Sequence, residues 1–245
     1  MTAAALVIGN EILSGRTVDA NVSYLGRRLN ELGIQLKEVR VVADDVAAIV
    51  EAVNALRRVH DYLFTTGGIG PTHDDITAGC IAEAFGVKLV RHPDAVKLIT
   101  DFVVARGREL TEARLKMAEV ADGATLIENE ISAAPGFRIE NVFVMAGIPK
   151  VMQAMFEVLA PDLEGGVVLS SRTVTTHIPE GVLAPTLGSL QDIFDDCDVG
   201  SYPFLEEGQL GVNVVIRGPD EGRLDAAVAQ LEEMLAALGA DAVRG

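Results

Sequence analysis

A glycine-rich segment between a strand and a helix constrains this chain more than any other feature. Asp61-Tyr62-Leu63-Phe64 reads as a short buried strand, and from Ile76 to Phe85 the apolar residues recur at helical spacing. Between them runs Thr65-Thr66-Gly67-Gly68-Ile69-Gly70-Pro71-Thr72-His73-Asp74-Asp75. Such a turn lets backbone N–H groups approach an anion, and the following helix contributes its positive end. Two carboxylates directly after the loop can hold a cation against a bound phosphate. The pattern points to a nucleotide or another phosphorylated ligand. A tight turn needing positive φ is the plain structural alternative.

The rest of the first 164 residues repeats the alternation of strand and helix. Ala4–Ile8 is strand-like, Val22–Leu32 is an amphipathic helix ending at Gly33, and residues 35–42 alternate as a strand. Asp44 and Asp45 open a helix through Val59. After the glycine loop come a short strand at 87–90, a helix from Pro93 to Ala105, and a helical stretch from Leu110 to Val120. A strand at 123–128, a hairpin of 136–139 with 142–146, and a helix over Pro149–Leu159 follow. Strands separated by helices of this length imply a mostly parallel sheet covered on both faces, a three-layer α/β/α fold. Ligands in such sheets bind beyond the carboxyl ends of the strands. The loops after the first three strands should therefore meet at one edge.

Pro161 and Gly165-Gly166 mark a boundary, giving an expected first domain of residues 1–164 and a second of 165–245. The second reads as strand (167–177), helix (183–194), an irregular stretch, strand (210–217) and helix (221–238), a small α+β domain. No cluster of titratable residues at catalytic spacing falls there.

Composition narrows the partners. Thirty-six acidic against 20 basic residues give a formal charge of −16, and no basic stripe is visible, so nucleic acid is not expected. No apolar run reaches the roughly 20 residues of a membrane helix, and the N-terminus lacks a basic signal region. A cytoplasmic protein without membrane contact is the expectation. Cys80 and Cys197 lie far apart with no partner at metal spacing, and read as isolated buried thiols.

The remaining motifs cluster on the same loops. Walker A spacing is absent, G-x-G-x-x-G does not follow the first strand, and no G-x-S-x-G elbow occurs. Asp44 and Asp75, at neighbouring strand ends, are the pair best placed for a divalent cation, which typically takes one or two carboxylates plus phosphate oxygens and waters. Each also has a plain role at a helix N-terminus. Glu11, in Asn10-Glu11-Ile12-Leu13-Ser14-Gly15, is a third acid or a simple turn residue. Asn21 is a candidate ligand contact or a helix N-cap. His73 could titrate near neutrality or stand in solvent. Lys150, in the first turn of its helix, hints at an anion, although a surface lysine is the default.

Taken together these words resemble the molybdopterin-binding (MoaB/MogA-like) family, in the version found at the N-terminus of CinA-type competence/damage-inducible proteins. The resemblance rests on Gly9-Asn10-Glu11-Ile12-Leu13-Ser14-Gly15, Asn21, Asp44, Thr65 through Asp75, Ala134-Pro135-Gly136-Phe137 and Gly147-Ile148-Pro149. Residues 165–245 resemble the small α+β domain that follows in CinA-like proteins. No amidase domain follows here, so nicotinamide-nucleotide deamidation is not expected. Many relatives carry Asp where this chain has Asn10, and Pro where it has Ala146.

The resemblance implies a metal-dependent (Mg²⁺ or Co²⁺) pyrophosphatase acting on a diphosphate such as ADP-ribose or FAD. It also leaves room for molybdopterin binding or adenylyl transfer, or for a non-catalytic nucleotide or pterin sensor. It implies Asp44 and Asp75 as catalytic residues and metal ligands, with Glu11 as a further ligand. Asn10, Glu11, Ser14, Asn21, Thr66, Gly67, Gly68, Gly70, Thr72, Gly147, Pro149 and Lys150 would bind substrate or phosphate. A symmetric homo-oligomer is implied by the same analogy.

Overall fold

The computed structural model describes residues 1–132, 134–206 and 208–245. The chain divides into two compact units, Met1–Gly166 and Val167–Gly245. Among the described residues, no helix is long and apolar enough to cross a membrane.

In the first unit the order is β1 (Thr2–Ile8), α1 (Asn10–Leu13), α2 (Asn21–Glu31), β2 (Gln35–Val42), α3 (Val46–Leu56), β3 (Tyr62–Thr66) and α4 (Thr77–Phe85). There follow β4 (Leu89–Arg91), α5 (Pro93–Ala105), α6 (Glu112–Lys116), β5 (Glu119–Ala121), β6 (Thr125–Ile127), β7 (Gly136–Ile139), β8 (Val142–Met145) and α7 (Pro149–Leu159). Six strands form one sheet in the order β2-β1-β3-β8-β7-β6. The first four run parallel, and β7 and β6 complete the sheet antiparallel to their neighbours.

The alternation along β1 explains the layers. Ala4, Leu6 and Ile8 face one core with Ile49 and Val53 of α3 and Ile81 of α4. Ala3 and Ala5 face a second core with Leu25 and Leu29 of α2 and Met152, Met155 and Phe156 of α7. A strand buried on both faces needs apolar residues at every position, and β1 has them from Ala3 to Ile8. Phe64 anchors the second core, stacked on Phe143 at 5.1 Å between ring centroids and tilted against Phe156 at 5.7 Å. This is the three-layer α/β/α fold expected of MogA-like domains.

Two stretches depart from expectation. The helical reading of 110–120 is too long: α6 spans Glu112–Lys116, capped by the Thr111 hydroxyl, and Glu119–Ala121 pairs with β4 as a separate two-stranded sheet. Short apolar runs with helical periodicity also fit a strand, and the pairing partner decides. The predicted loop after β1 contains the four-residue helix α1.

The second unit comprises β9 (Ser170–Thr176), α8 (Glu180–Ile193), β10 (Asp198–Glu206), β11 (Gln209–Gly218), α9 (Glu221–Ala237) and β12 (Val243–Arg244). Its sheet runs β10-β11-β9-β12, antiparallel throughout. Leu183, Leu190, Leu224, Leu231 and Leu235 from the two helices pack on Val174, Val214 and Ile216. The region expected to be irregular before Leu210 is the edge strand β10, in which Pro203 is tolerated because an edge strand leaves one side unpaired.

The last strand is held by a titratable contact. His177 Nδ1 lies 2.6 Å from Asp241 Oδ2, and the His177 N–H donates to Asp241 Oδ1 at 3.0 Å. The ring hydrogen bond, then the backbone one, hold the Asp241 carboxyl below its ordinary range. A carboxyl depressed in the folded state stabilises it above the unfolded pKa, about 3.9, and loses that effect as pH falls through the folded value. Amide exchange at Gly245, whose N–H donates to Thr173 O, should therefore quicken below about pH 4 relative to the β9–β11 core. Asp241→Asn should show the faster exchange already at neutral pH.

Candidate functional site

Because β1, β2, β3 and β8 are parallel, the loops leaving their carboxyl ends share one edge of the sheet. The glycine loop after β3 is fixed by close backbone approach. Gly67 has φ +104°, and a Cβ there would lie 2.2 Å from Ile8 O; Gly68 has φ +67°, and its Cβ would lie 2.2 Å from Thr77 Oγ. No side chain fits at either position. The buried Thr77 closes the loop onto α4: its hydroxyl donates to Gly67 O and its N–H to Gly68 O, both at 3.0 Å. The Gly67 N–H donates to Met145 O, extending the β3–β8 ladder. Among the described residues the N–H groups of Gly68, Ile69 and Gly70 meet no protein acceptor, and are the loop donors available to an anion.

The acidic pairs divide their work. Asp45 caps α3 by accepting from the Ala48 N–H at 2.9 Å, while Asp44 accepts from the Asn10 N–H at 2.9 Å and so ties the loop after β2 to the loop after β1. Asp45→Ala should lower stability by about 1 kcal/mol, read from a denaturation midpoint. Asp74 and Asp75 make no cap to α4. Asp75 Oδ2 accepts from the Thr72 N–H at 2.8 Å, and the Thr72 hydroxyl lies 2.5 Å from Asp74 Oδ1 and 2.6 Å from Asp75 Oδ2. The hydroxyl bond, ahead of a backbone one, draws the Asp74 carboxyl below its ordinary range.

A cavity of about 560 Å³ opens at this edge, lined among others by Glu11, Gly67, Gly68, Gly70, Asp75, Gly147 and Pro149. Seven of the residues singled out in the sequence thus border one space. Asn21 sits just beneath it: buried, it donates through Nδ2 to Gly147 O at 2.9 Å, and its Oδ1 has no partner among the described residues. The N-cap role falls elsewhere, since Asp19 accepts from the Val22 N–H at 2.8 Å. Thr66 is buried at the end of β3, its hydroxyl without a partner among the described residues. Ser14 donates to Glu11 O at 3.2 Å, which rigidifies the Glu11 turn. Neither Ser14 nor Lys150 borders the cavity, and His73 stands in solvent.

Two contributors escaped the sequence reading. Thr77 reads as an ordinary first helical residue, and its clamp on two carbonyls depends on the loop's path. Lys116 donates to Thr72 O and borders a smaller neighbouring cavity with Asp75. Its distance from the loop in sequence hid it. Cys80 also borders that cavity, but burial first, then the nearby Glu83 and Asp45 carboxylates, push its thiol up to about 11. Iodoacetamide at pH 8 should leave Cys80 unmodified in the folded protein, as mass spectrometry would show.

Among the described residues, no three His, Cys, Asp or Glu side chains form a cluster suited to a metal ion. The hard oxygen donors of Glu11 and Asp75 border one cavity, and a magnesium-type ion needs only one or two such carboxylates besides ligand oxygens and water. The donor set therefore fits a cation shared with a phosphorylated ligand.

Residues 4–165 match the family model described as "Probable molybdopterin binding domain". The chain belongs to that family. Residues 168–242 match a second family model, "FAD synthase, middle domain". Within the molybdopterin-binding family, the chain is similar to the crystal structure of the protein CinA, of unknown function, from Thermoplasma acidophilum. That likeness has 35% identity and a TM-score of 0.61, and covers 66% of this chain and 96% of that one. A protein from Archaeoglobus fulgidus is 34% identical over 228 residues, covering 93% of this chain and 95% of the relative. A "Probable FAD synthase" from Caenorhabditis elegans is 32% identical over 259 residues; the match takes in 96% of this chain and 50% of that protein.

Proposed function

We propose that this protein hydrolyses a phosphoanhydride, with a nucleotide diphosphate such as ADP-ribose or FAD as substrate, using a divalent cation (Mg²⁺ or Co²⁺). The observation that carries the reading is the glycine loop with Asp75 forming one wall of a cavity whose opposite loops supply Glu11 and the Gly147-Ile148-Pro149 turn. The amides of Gly68 and Gly70 are donors suited to a diphosphate's charge. Asp75 and Glu11, with Asp44 steadying the Asn10–Glu11 turn, are the residues that would hold the cation. When bound, such an ion polarises the phosphoryl group and offsets its developing charge.

Asp75 keeps Oδ2 on the Thr72 N–H, which leaves Oδ1 for the cation, and the attacking water's proton passes to solvent. The new bond forms between that water's oxygen and phosphorus. The bridging P–O bond breaks, and the leaving phosphate carries away the electron pair. Products are AMP with ribose 5-phosphate or with FMN. The match of residues 168–242 to the FAD synthase middle domain supports this reading over the second one, molybdopterin binding or adenylyl transfer, to which the description of the first family model points. A non-catalytic sensor is the third. Chelation separates the first from the last: EDTA should stop product formation and Mg²⁺ should restore it, whereas a sensor binds nucleotide and yields no product. A cytoplasmic homo-oligomer is the expected working form, which light scattering on the purified protein would read.

A further inference from the structure

The sheet of the second unit ends at β10, a strand of nine residues that pairs with β11 on one side only among the described residues. Its outward hydrogen-bonding groups can be identified. The Val199 N–H donates to Gln191 Oε1 of α8 at 2.9 Å, and so points away from β11. Strand alternation turns the N–H groups of Ser201 and Leu205 the same way. Pro203, between them, falls where the β11 ladder needs no N–H. Gln191 is itself fixed by donating to Phe194 O and Cys197 O, and it covers the edge at Val199 alone. From Ser201 onward no strand among the described residues pairs with the edge.

Beside that edge lies a cavity of about 520 Å³, lined by Val199 and Ser201 of β10 and by Gly181, Ala184, Leu187 and Gly188 of α8. A Cβ at Gly181 or Gly188 would meet nothing within 4 Å, so side chains of an added strand would find room against the helix. Pro185 has no N–H to return to Gly181 O, which leaves that carbonyl without the donor an α-helix ordinarily supplies. The Ser201 hydroxyl donates to Glu180 Oε1 at 2.7 Å and holds this carboxylate beside the groove. Further along the same edge Leu205, paired with Leu210, continues the apolar surface; the two are 66% and 72% exposed.

We propose that β10 accepts an extended, basic segment of a partner protein as an additional strand, its backbone on Ser201 and Leu205 and its alternate side chains in the groove against α8. Charge selects the partner. Residues 167–245 hold thirteen acidic residues and four basic ones, all four arginine. Arg172, Arg223 and Arg244 are engaged by Asp225, Asp196 and Glu232, and Arg217 reaches the Tyr202 hydroxyl. Glu180 and Asp192, toward the two ends of α8, make no ion pair among the described residues. A second copy would set one acidic edge against another, and nucleic acid would bring phosphates to carboxylates. A lysine- or arginine-bearing strand meets opposite charge.

Fluorescence polarisation of the full chain with short labelled peptides of alternating Lys and Val tests the surface. The Lys-Val peptide should bind, and more weakly as salt rises. Glu in place of Lys should abolish binding. Methylating the backbone nitrogens on the pairing side should cost about tenfold, because more than one hydrogen bond is lost. Gly188→Leu, at an exposed helical position, fills the groove and should weaken the peptide by about tenfold or more. Glu180→Lys should weaken it by about threefold or more. Failure of the Lys-Val peptide to bind, equal binding of the Glu peptide, an N-methylated peptide as good as its parent, or unaltered binding to Gly188→Leu overturns the proposal. A dimer seen by sedimentation and abolished by Gly188→Leu would give the edge to a second copy and overturn it too, as would a poly-uridine RNA that binds wild type and not Gly188→Leu. The peptide series is read on the wild type alone, so a misfolded variant does not obstruct the test.

Discussion

Asp75→Ala should abolish the proposed turnover of ADP-ribose or FAD and leave the melting temperature within a few degrees of wild type. The expected fall in kcat/KM is about 10³-fold or more, the order seen when a preorganised charge-stabilising group is removed. Stability changes little because Asp75 sits at a cavity wall and bonds only within its own loop. Asp44→Ala should be similarly inactive, by releasing the turn that carries Glu11. Steady-state kinetics beside a thermal melt checks both. Turnover retained in both variants would remove the carboxylates from the mechanism.

The second large effect belongs to Gly67→Ala. At φ +104° an alanine is strained whatever the space around it, and its Cβ would sit 2.2 Å from the Ile8 carbonyl oxygen. Strain and overpacking together should cost about 3 kcal/mol or more, with either term alone running 1–3. Forcing β1 and β3 apart at this point also displaces the loop that borders both cavities. A denaturant titration should show the lowered midpoint, and nucleotide binding should be lost in whatever fraction remains folded. By contrast Gly79→Ala, in the same unit but in an open helical position, should stabilise the protein.

Much of the candidate site was legible because the glycine loop and Glu11 follow strands with clear apolar runs, Asp44 follows one with clear alternation, and parallel strands bring their carboxyl ends together. Asp45 took the cap that its neighbour could have taken, which pattern alone could not apportion. Asn21 was harder: its side chain faces Gly147, 126 residues away in sequence, and no local rule foretells such a contact. The same holds for Lys116 on Thr72. The strand β10 escaped notice because Gly200 and Pro203 interrupt its apolar pattern, and only pairing with β11 rescues it. Local propensity is a weak prior when a long-range partner supplies the hydrogen bonds.

The most direct measurement is product analysis after incubating the wild-type protein with FAD or ADP-ribose and Mg²⁺, with and without EDTA. The account predicts AMP in equimolar amount with FMN or ribose 5-phosphate, formed only without chelator and absent with Asp75→Ala. Intact substrate under all conditions, with nucleotide demonstrably bound, would contradict it.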